Sequence, residues 1–182
     1  MHSKLILTAA TGIAPFMDAN GEPSSDVAPF AKVLDFIAIM NYDIWGPWSP
    51  TVGPNSPLDD SCATPANRIG SATSAIAKWT KAGFPISQLI LGVPGHGHSY
   101  RVHRSEAYPL TSYPSFDASS PPPGDSWDDA GGVDVCGNVQ AQGGNINFWG
   151  LIEKGFLNDD GSVKTGISSA YDKCTQTVSH DA

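Results

Sequence analysis

Three short apolar runs, at residues 5–10, 36–42 and 89–93, most narrow what this chain can fold into. Each has strand length and lacks polar alternation, the pattern of a strand buried on both faces in a parallel sheet. The residues between them supply the crossovers. After a turn at Asn20-Gly21, Ser25 or Asp26 can cap a short helix that sets Val27, Phe30, Ala31 and Leu34 at helical spacing. A Pro- and Gly-rich loop at 44–63 then leads to Thr64-Pro65, a cap followed by proline at the first helical position. The helix predicted from there presents Ala66, Ile69, Ala72, Ile76 and Trp79 on one face, and Gly83 stops it. The order is β-α-β-α-β. Right-handed crossovers turn this order into about three parallel strands whose carboxyl ends lie along one edge.

Beyond Pro94 the texture changes. Pro121-Pro122-Pro123, Gly131-Gly132 and Gly143-Gly144 break the chain into short pieces, with one helix expected over 149–156. The aromatics of this half (Tyr108, Tyr113, Phe116, Trp127, Phe148, Trp149, Phe156 and Tyr171) can build a modest core or a wall for a flat ligand. Packing is the expected use, because buried aromatics dominate small cores. The chain therefore divides into a βαβαβ part, 1–98, and an irregular α+β insertion with the carboxyl terminus, 99–182. A chain of 182 residues is too short to close an eight-unit βα barrel, which needs roughly 200. The expected fold is an open α/β sheet with exposed edges that favour self-association.

Charge narrows the ligand. Ten Lys and Arg against eighteen Asp and Glu give a formal charge of −8, and no basic cluster occurs, which argues against a nucleic-acid surface. No run approaches the roughly 20 apolar residues of a membrane span. The apolar stretch at the amino end is already broken by Thr8, so no export signal is read there. Of the three cysteines, Cys136 and Cys174 bracket the irregular half and are expected to pair, leaving Cys62 free, because a crosslink there limits loop entropy.

In parallel sheets ligands bind beyond the carboxyl ends of the strands, where loops diverge. The three strand ends are Ala9-Ala10-Thr11, then Met40-Asn41-Tyr42-Asp43, then a Gly-rich turn carrying His96 and His98. Tyr42 and Asp43 put a phenol and a carboxylate at the end of an apolar strand, with Met40 on the same face as Tyr42. A turn-capping role for the pair fits position equally well. His96 and His98 flank Gly97 with His103 nearby. Without a Cys, Asp or Glu at matching spacing they read as polar contacts in a cleft rather than a metal site. Neither a nucleophile elbow nor a phosphate or dinucleotide loop is present, and no cofactor is implied.

The run LDFIAIMNYDIWGPW at 34–48, followed by GPNSPL at 53–58, resembles the sixth-strand M-x-Y-D region of family 18 glycoside hydrolases, the chitinases. LILTAA at 5–10 resembles the fifth strand of that barrel, and LILGVPGHGHSY at 89–100 the seventh. VDVCG at 133–137 with FWGL at 148–151 resembles the insertion before the eighth strand in fungal members. The resemblance implies a partial (β/α)8 TIM barrel covering strands five to seven and the insertion. It implies chitin or N-acetylglucosamine oligosaccharide as ligand and an extracellular setting for the intact protein.

The family's chemistry is substrate-assisted: the sugar's 2-acetamido carbonyl attacks the anomeric carbon while a Glu protonates the leaving oxygen. By resemblance Tyr42 donates its hydroxyl to the acetamido oxygen, and Asp43 hydrogen-bonds the distorted sugar. Met40 packs beneath the acetamido group, Trp48 stacks on a neighbouring ring, and the small Ala9 and Ala10 leave it space. His96 and His98 would line the cleft, although many members carry a tyrosine at the position of His96. The acid belongs to a D-x-x-D-x-D-x-E motif that does not occur in these 182 residues, so this stretch by itself is expected to be inactive. A non-catalytic chitin-binding protein and an inactive truncated product are the alternative readings.

Overall fold

The computed structural model describes residues 5–107, 113–140 and 142–181. They form two compact units, one of residues 1–44 and 56–93, the other of residues 45–55 and 94–182. The division falls earlier than the expected boundary after 98, and the loop at 45–55 goes with the second unit.

The first unit contains the expected sheet, but its first strand is shifted: Leu5, Ile6 and Leu7 of the predicted run lie exposed ahead of it. Strands β1 (Thr8–Thr11), β2 (Phe36–Met40) and β3 (Leu89–Gly92) run parallel in the order β1-β2-β3. The register sets Ala10 beside Ala38 and Met40 beside Gly92. Alternation along β2 sends Ile37 and Ile39 into the core, where both are fully buried with Val27, Ala75, Trp79 and Phe84. Helix α1 (Ala72–Lys81) supplies Ala75 and Trp79. The indole of Trp79 meets Phe16 edge-on at 5.0 Å and Phe84 at 5.8 Å, and its N–H donates to the Gly12 carbonyl at 3.1 Å. A large apolar body with a satisfied polar tip is what a buried tryptophan requires.

Both helices of this unit differ from the sequence expectation. The segment around Phe30 makes only a three-residue 3-10 turn, Phe30–Lys32. Its exit is clamped by the Gln88 side chain, which donates to the carbonyls of Ala31, Leu34 and Asp35. The Thr64-Pro65 signal likewise opens only a 3-10 turn, Pro65–Asn67, and the true helix begins seven residues past Thr64 at Ser71. There a capping box with Ser74 satisfies two orphan backbone donors, and the Ser71 hydroxyl donates onward to the buried Asp60 carboxylate at 2.8 Å. Arg68 meanwhile donates to the carbonyls of Ser61 and Ala63, holding the preceding residues in a loop. Gly83 does end the helix, at φ +90°, where a side chain would be strained.

Within the second unit the described strands are short and antiparallel. Strand β4 (His96–His98) pairs with β7 (Asn145–Asn147), β5 (Gly132–Val133) with β6 (Val139–Gln140), and β8 (Ser168–Asp172) with β9 (Thr177–Asp181). The helix expected over 149–156 is a single turn, α2 (Gly150–Glu153). Carboxylates organise these loops. Asp128 accepts from the backbone amides of Gly124, Gly144 and Asn145, and Asp125 from those of Trp127 and Asn147. The expected Cys136–Cys174 pair is not formed. Cys62 and Cys174 are the disulfide-bonded residues, and Cys136 is free and exposed in the turn between β5 and β6. That turn has its own tie, since Asp134 accepts from the Cys136 and Asn138 amides and from the Asn138 and Gln140 side chains. Local hydrogen bonds do there what a crosslink was expected to do. Tyr108 lies outside the described residues.

Replacing Trp79 by alanine is expected to lower stability by about 3–5 kcal/mol, the size of deleting a fully buried large aromatic, read as a drop in the urea midpoint. The Asp134 turn should open in acid. Hydrogen bonds, first from the Asn138 side chain and then from its backbone, hold the Asp134 carboxyl at about 2. A depressed carboxyl contributes stability above its ordinary value of 3.8 and loses it as the pH falls toward about 2. Amide exchange of Asn138 and Cys136 should accelerate through that window, and in Asp134→Asn should be fast throughout.

Candidate functional site

Tyr42 and Asp43 stand at the carboxyl end of the central strand of the three described here, as the sequence expects, and Asn41 fixes them there. Asn41 is buried within an otherwise apolar run, and its side-chain amide donates to Ser56 Oγ at 3.2 Å and to the Pro57 carbonyl at 3.3 Å. Ser56 in turn donates its hydroxyl to the Asn41 carbonyl. The chain just past β2 is thereby bound to the start of the next segment on both its side chain and its backbone. A buried asparagine inside an apolar run was the available signal for this anchor, and sequence reasoning passed over it.

Immediately after the anchor the backbone reverses hand. Asp43 has φ +56°, a left-handed conformation uncommon outside glycine and most tolerated by Asn and Asp. Such conformations persist where the surroundings over-determine them, and they cluster at ligand sites. Asp43 is exposed and Tyr42 half-buried. A side chain at Gly92 would come within 3.3 Å of the Tyr42 ring edge and 2.9 Å of the Ile39 carbonyl oxygen. The bare strand end at 92 is therefore what lets the phenol ring lie where it does.

Met40 is exposed on the sheet face it shares with Ala10, Ala38 and Gly92. Ala9, expected beside it as a site residue, turns the other way. It packs against the core on the face of Ile37, because alternate residues of a strand take opposite faces. Only Ala10 of the two faces the same side as Met40.

The remaining candidates belong to the second unit, where they group among themselves. The Trp48 indole is exposed and meets the His98 ring edge-on at 5.5 Å, and His98 meets His96 at 5.7 Å. Asn55 donates to the His96 carbonyl at 2.8 Å, tying the 45–55 loop to β4. Trp48 folds back over Gly46, where any larger residue would collide with its six-membered ring. His103, by contrast, is exposed and bonded locally to Ser105.

The chain belongs to the glycosyl hydrolases family 18, whose model it matches over residues 1–175. Among its relatives is a chitinase-like effector of Moniliophthora roreri, 49% identical over 181 residues, which cover 96% of this chain and 44% of that one. Among solved structures, a chitinase from Rhizomucor miehei matches 98% of this chain and 47% of its own with a TM-score of 0.80 at 30% identity. A class V chitinase from Nicotiana tobaccum in complex with NAG4 matches 95% and 41%, with a TM-score of 0.60 at 25% identity. The chain spans less than half the length of these relatives. Its α/β sheet is thus a part of a family with a TIM-barrel fold.

Gly92→Ala is expected to cost about 1–3 kcal/mol, as overpacking against a strand backbone does, and to displace the Tyr42 ring. Ring-proton shifts of Tyr42, compared between the two proteins, would show the displacement directly.

Proposed function

We propose that this chain forms the acetamido-holding part of a chitin-directed hydrolase site. The observation that carries the reading is Tyr42 and Asp43 at the carboxyl edge of β2, with Asp43 held at φ +56° just past the Asn41 anchor. The bound ligand is an N-acetylglucosamine oligosaccharide. The substrate's own carbonyl oxygen is the nucleophile, so the protein must hold that oxygen against the anomeric carbon rather than supply an attacking group. The Tyr42 hydroxyl donates to that oxygen and holds it in attack geometry as the oxazolinium forms. Asp43 accepts from the acetamido nitrogen and the distorted sugar. Met40 lies beneath the acetamido methyl, and Ala10 leaves room on the same face.

Protonation of the leaving oxygen requires a carboxylic acid at the end of another strand. These 182 residues hold no D-x-x-D-x-D-x-E motif, which favours binding without turnover by this stretch alone. Hydrolysis of the β-1,4 linkage is the role of a barrel in which these strands stand beside an acid-bearing one. We place the protein outside the cell, a setting in which the oxidised Cys62 and Cys174 would persist.

The purified chain is expected to bind chitotetraose and to release no fluorophore from a fluorogenic chitobioside above the buffer rate. The missing acid is worth about a hundred- to ten-thousandfold. Tyr42→Phe should weaken binding by about three- to tenfold, one hydrogen bond's worth. Absence of binding, or binding indifferent to Tyr42→Phe and Asp43→Ala, would overturn the assignment of the site.

A further inference from the structure

We propose that Trp127, Phe148 and Trp149 of the second unit form an additional sugar-stacking surface for an N-acetylglucosamine oligosaccharide, the sugar class resting on the function proposed above. These rings were expected to pack, yet although Trp127 and Trp149 meet each other, all three stay exposed. Trp127 is 80% exposed, Phe148 71% and Trp149 42%. Three large aromatics left in water on one small unit mark a contact surface more often than chance exposure.

The rings are also held in place. The two indoles sit 5.7 Å apart at 71°, an L-shaped corner in which one ring's edge stands against the other's plane. A pyranose presents a flat face of C–H groups and an edge of hydroxyls, which such a corner can meet by stacking and edge contact together.

A single buried carboxylate fixes the corner from below. Asp125, 5% exposed, accepts the backbone N–H of Trp127 on one oxygen and that of Asn147, the residue before Phe148, on the other. Gly150, which follows Trp149, lies so close to that carboxylate that a side chain there would collide with it. Ser126 N–H donates to Glu153 at the end of α2, and Phe148 N–H to the Gly95 carbonyl. Both halves of the aromatic pair are therefore tied to one another and to the β4–β7 ladder. Rings already ordered before contact lose little freedom on binding.

Charge selects the ligand class. The exposed polar groups beside the rings in sequence are Ser126, Asp129, Glu153 and Lys154; the two carboxylates outnumber the one ammonium and disfavour polyanions, and all four can exchange hydrogen bonds with sugar hydroxyls. A neutral oligosaccharide suits them; nucleic acid and sulfated glycans do not.

The test is an NMR titration of the 182-residue chain with chitohexaose, following the indole N–H signals, alongside retention on insoluble chitin. Signals of Trp127 and Trp149 should move with hexaose and not with a sulfated disaccharide. Trp127→Ala and Trp149→Ala should each weaken chitin retention by about three- to tenfold, one aromatic contact's worth. Asp125→Asn should do the same with every ring still present, because an amide nitrogen cannot accept from both N–H groups. The indole shifts should survive in Tyr42→Phe, which separates this surface from the strand-end site. Unchanged retention in both tryptophan variants would overturn the proposal. So would a dimer in light scattering that Trp127→Ala abolishes, since the rings would then serve self-association. If Asp125→Asn unfolds, as circular dichroism would reveal, the two exposed tryptophan variants decide alone.

Discussion

The position of β2 between two parallel neighbours is the constraint from which the rest of the first unit follows. A strand bonded on both edges cannot slip without breaking two ladders, and with Ile37 and Ile39 fully buried a one-residue slip would turn both out of the core. Its end is therefore a fixed point in space. Asn41 extends that fixity one residue further by bonding to Ser56 and Pro57, and the reversal at Asp43 begins from there. Tyr42 and Asp43, the candidate site residues, follow directly on this constrained strand, where close placement of an acceptor or donor is attainable.

The second unit solves the opposite problem. Its strands are two to five residues long, and few of its apolar side chains are fully buried. Order comes from carboxylates that each gather two or more donors: Asp128 the backbone N–H groups of three residues, Asp125 those of two, and Asp172 the Cys174 amide and the Thr175 hydroxyl. An ionised carboxylate receiving several donors is among the stronger polar arrangements in a protein.

Carboxylates of this kind escape a reading based on apolar patterning. Asp128, next to Asp129, looks in sequence like a solvated turn. The β8–β9 hairpin shows the same difficulty, because its strands, SSAYD and TVSHD, are mostly polar and carry no clean alternation. The disulfide was mistaken for a related reason. Cys136 and Cys174 were matched by the texture of the chain around them, whereas bridging depends on where the fold brings two sulfurs, which the spacing of cysteines does not disclose.

The sequence by itself determined the three parallel strands, their order, and the placement of Tyr42, Asp43 and Met40 at a carboxyl edge. Those features are written in local patterns: apolar runs of strand length, separated by crossovers of fixed handedness. Tertiary structure decided what no local pattern encodes. It moved the helix start to Ser71 because Asp60 was there to receive its hydroxyl, and it turned Ala9 inward while leaving Ala10 beside Met40. It also raised Trp127 and Trp149 to the surface over the Asp125 carboxylate. Each of these outcomes depends on groups far apart in the chain meeting through space, and the energy of such a meeting is absent from any window of neighbouring residues.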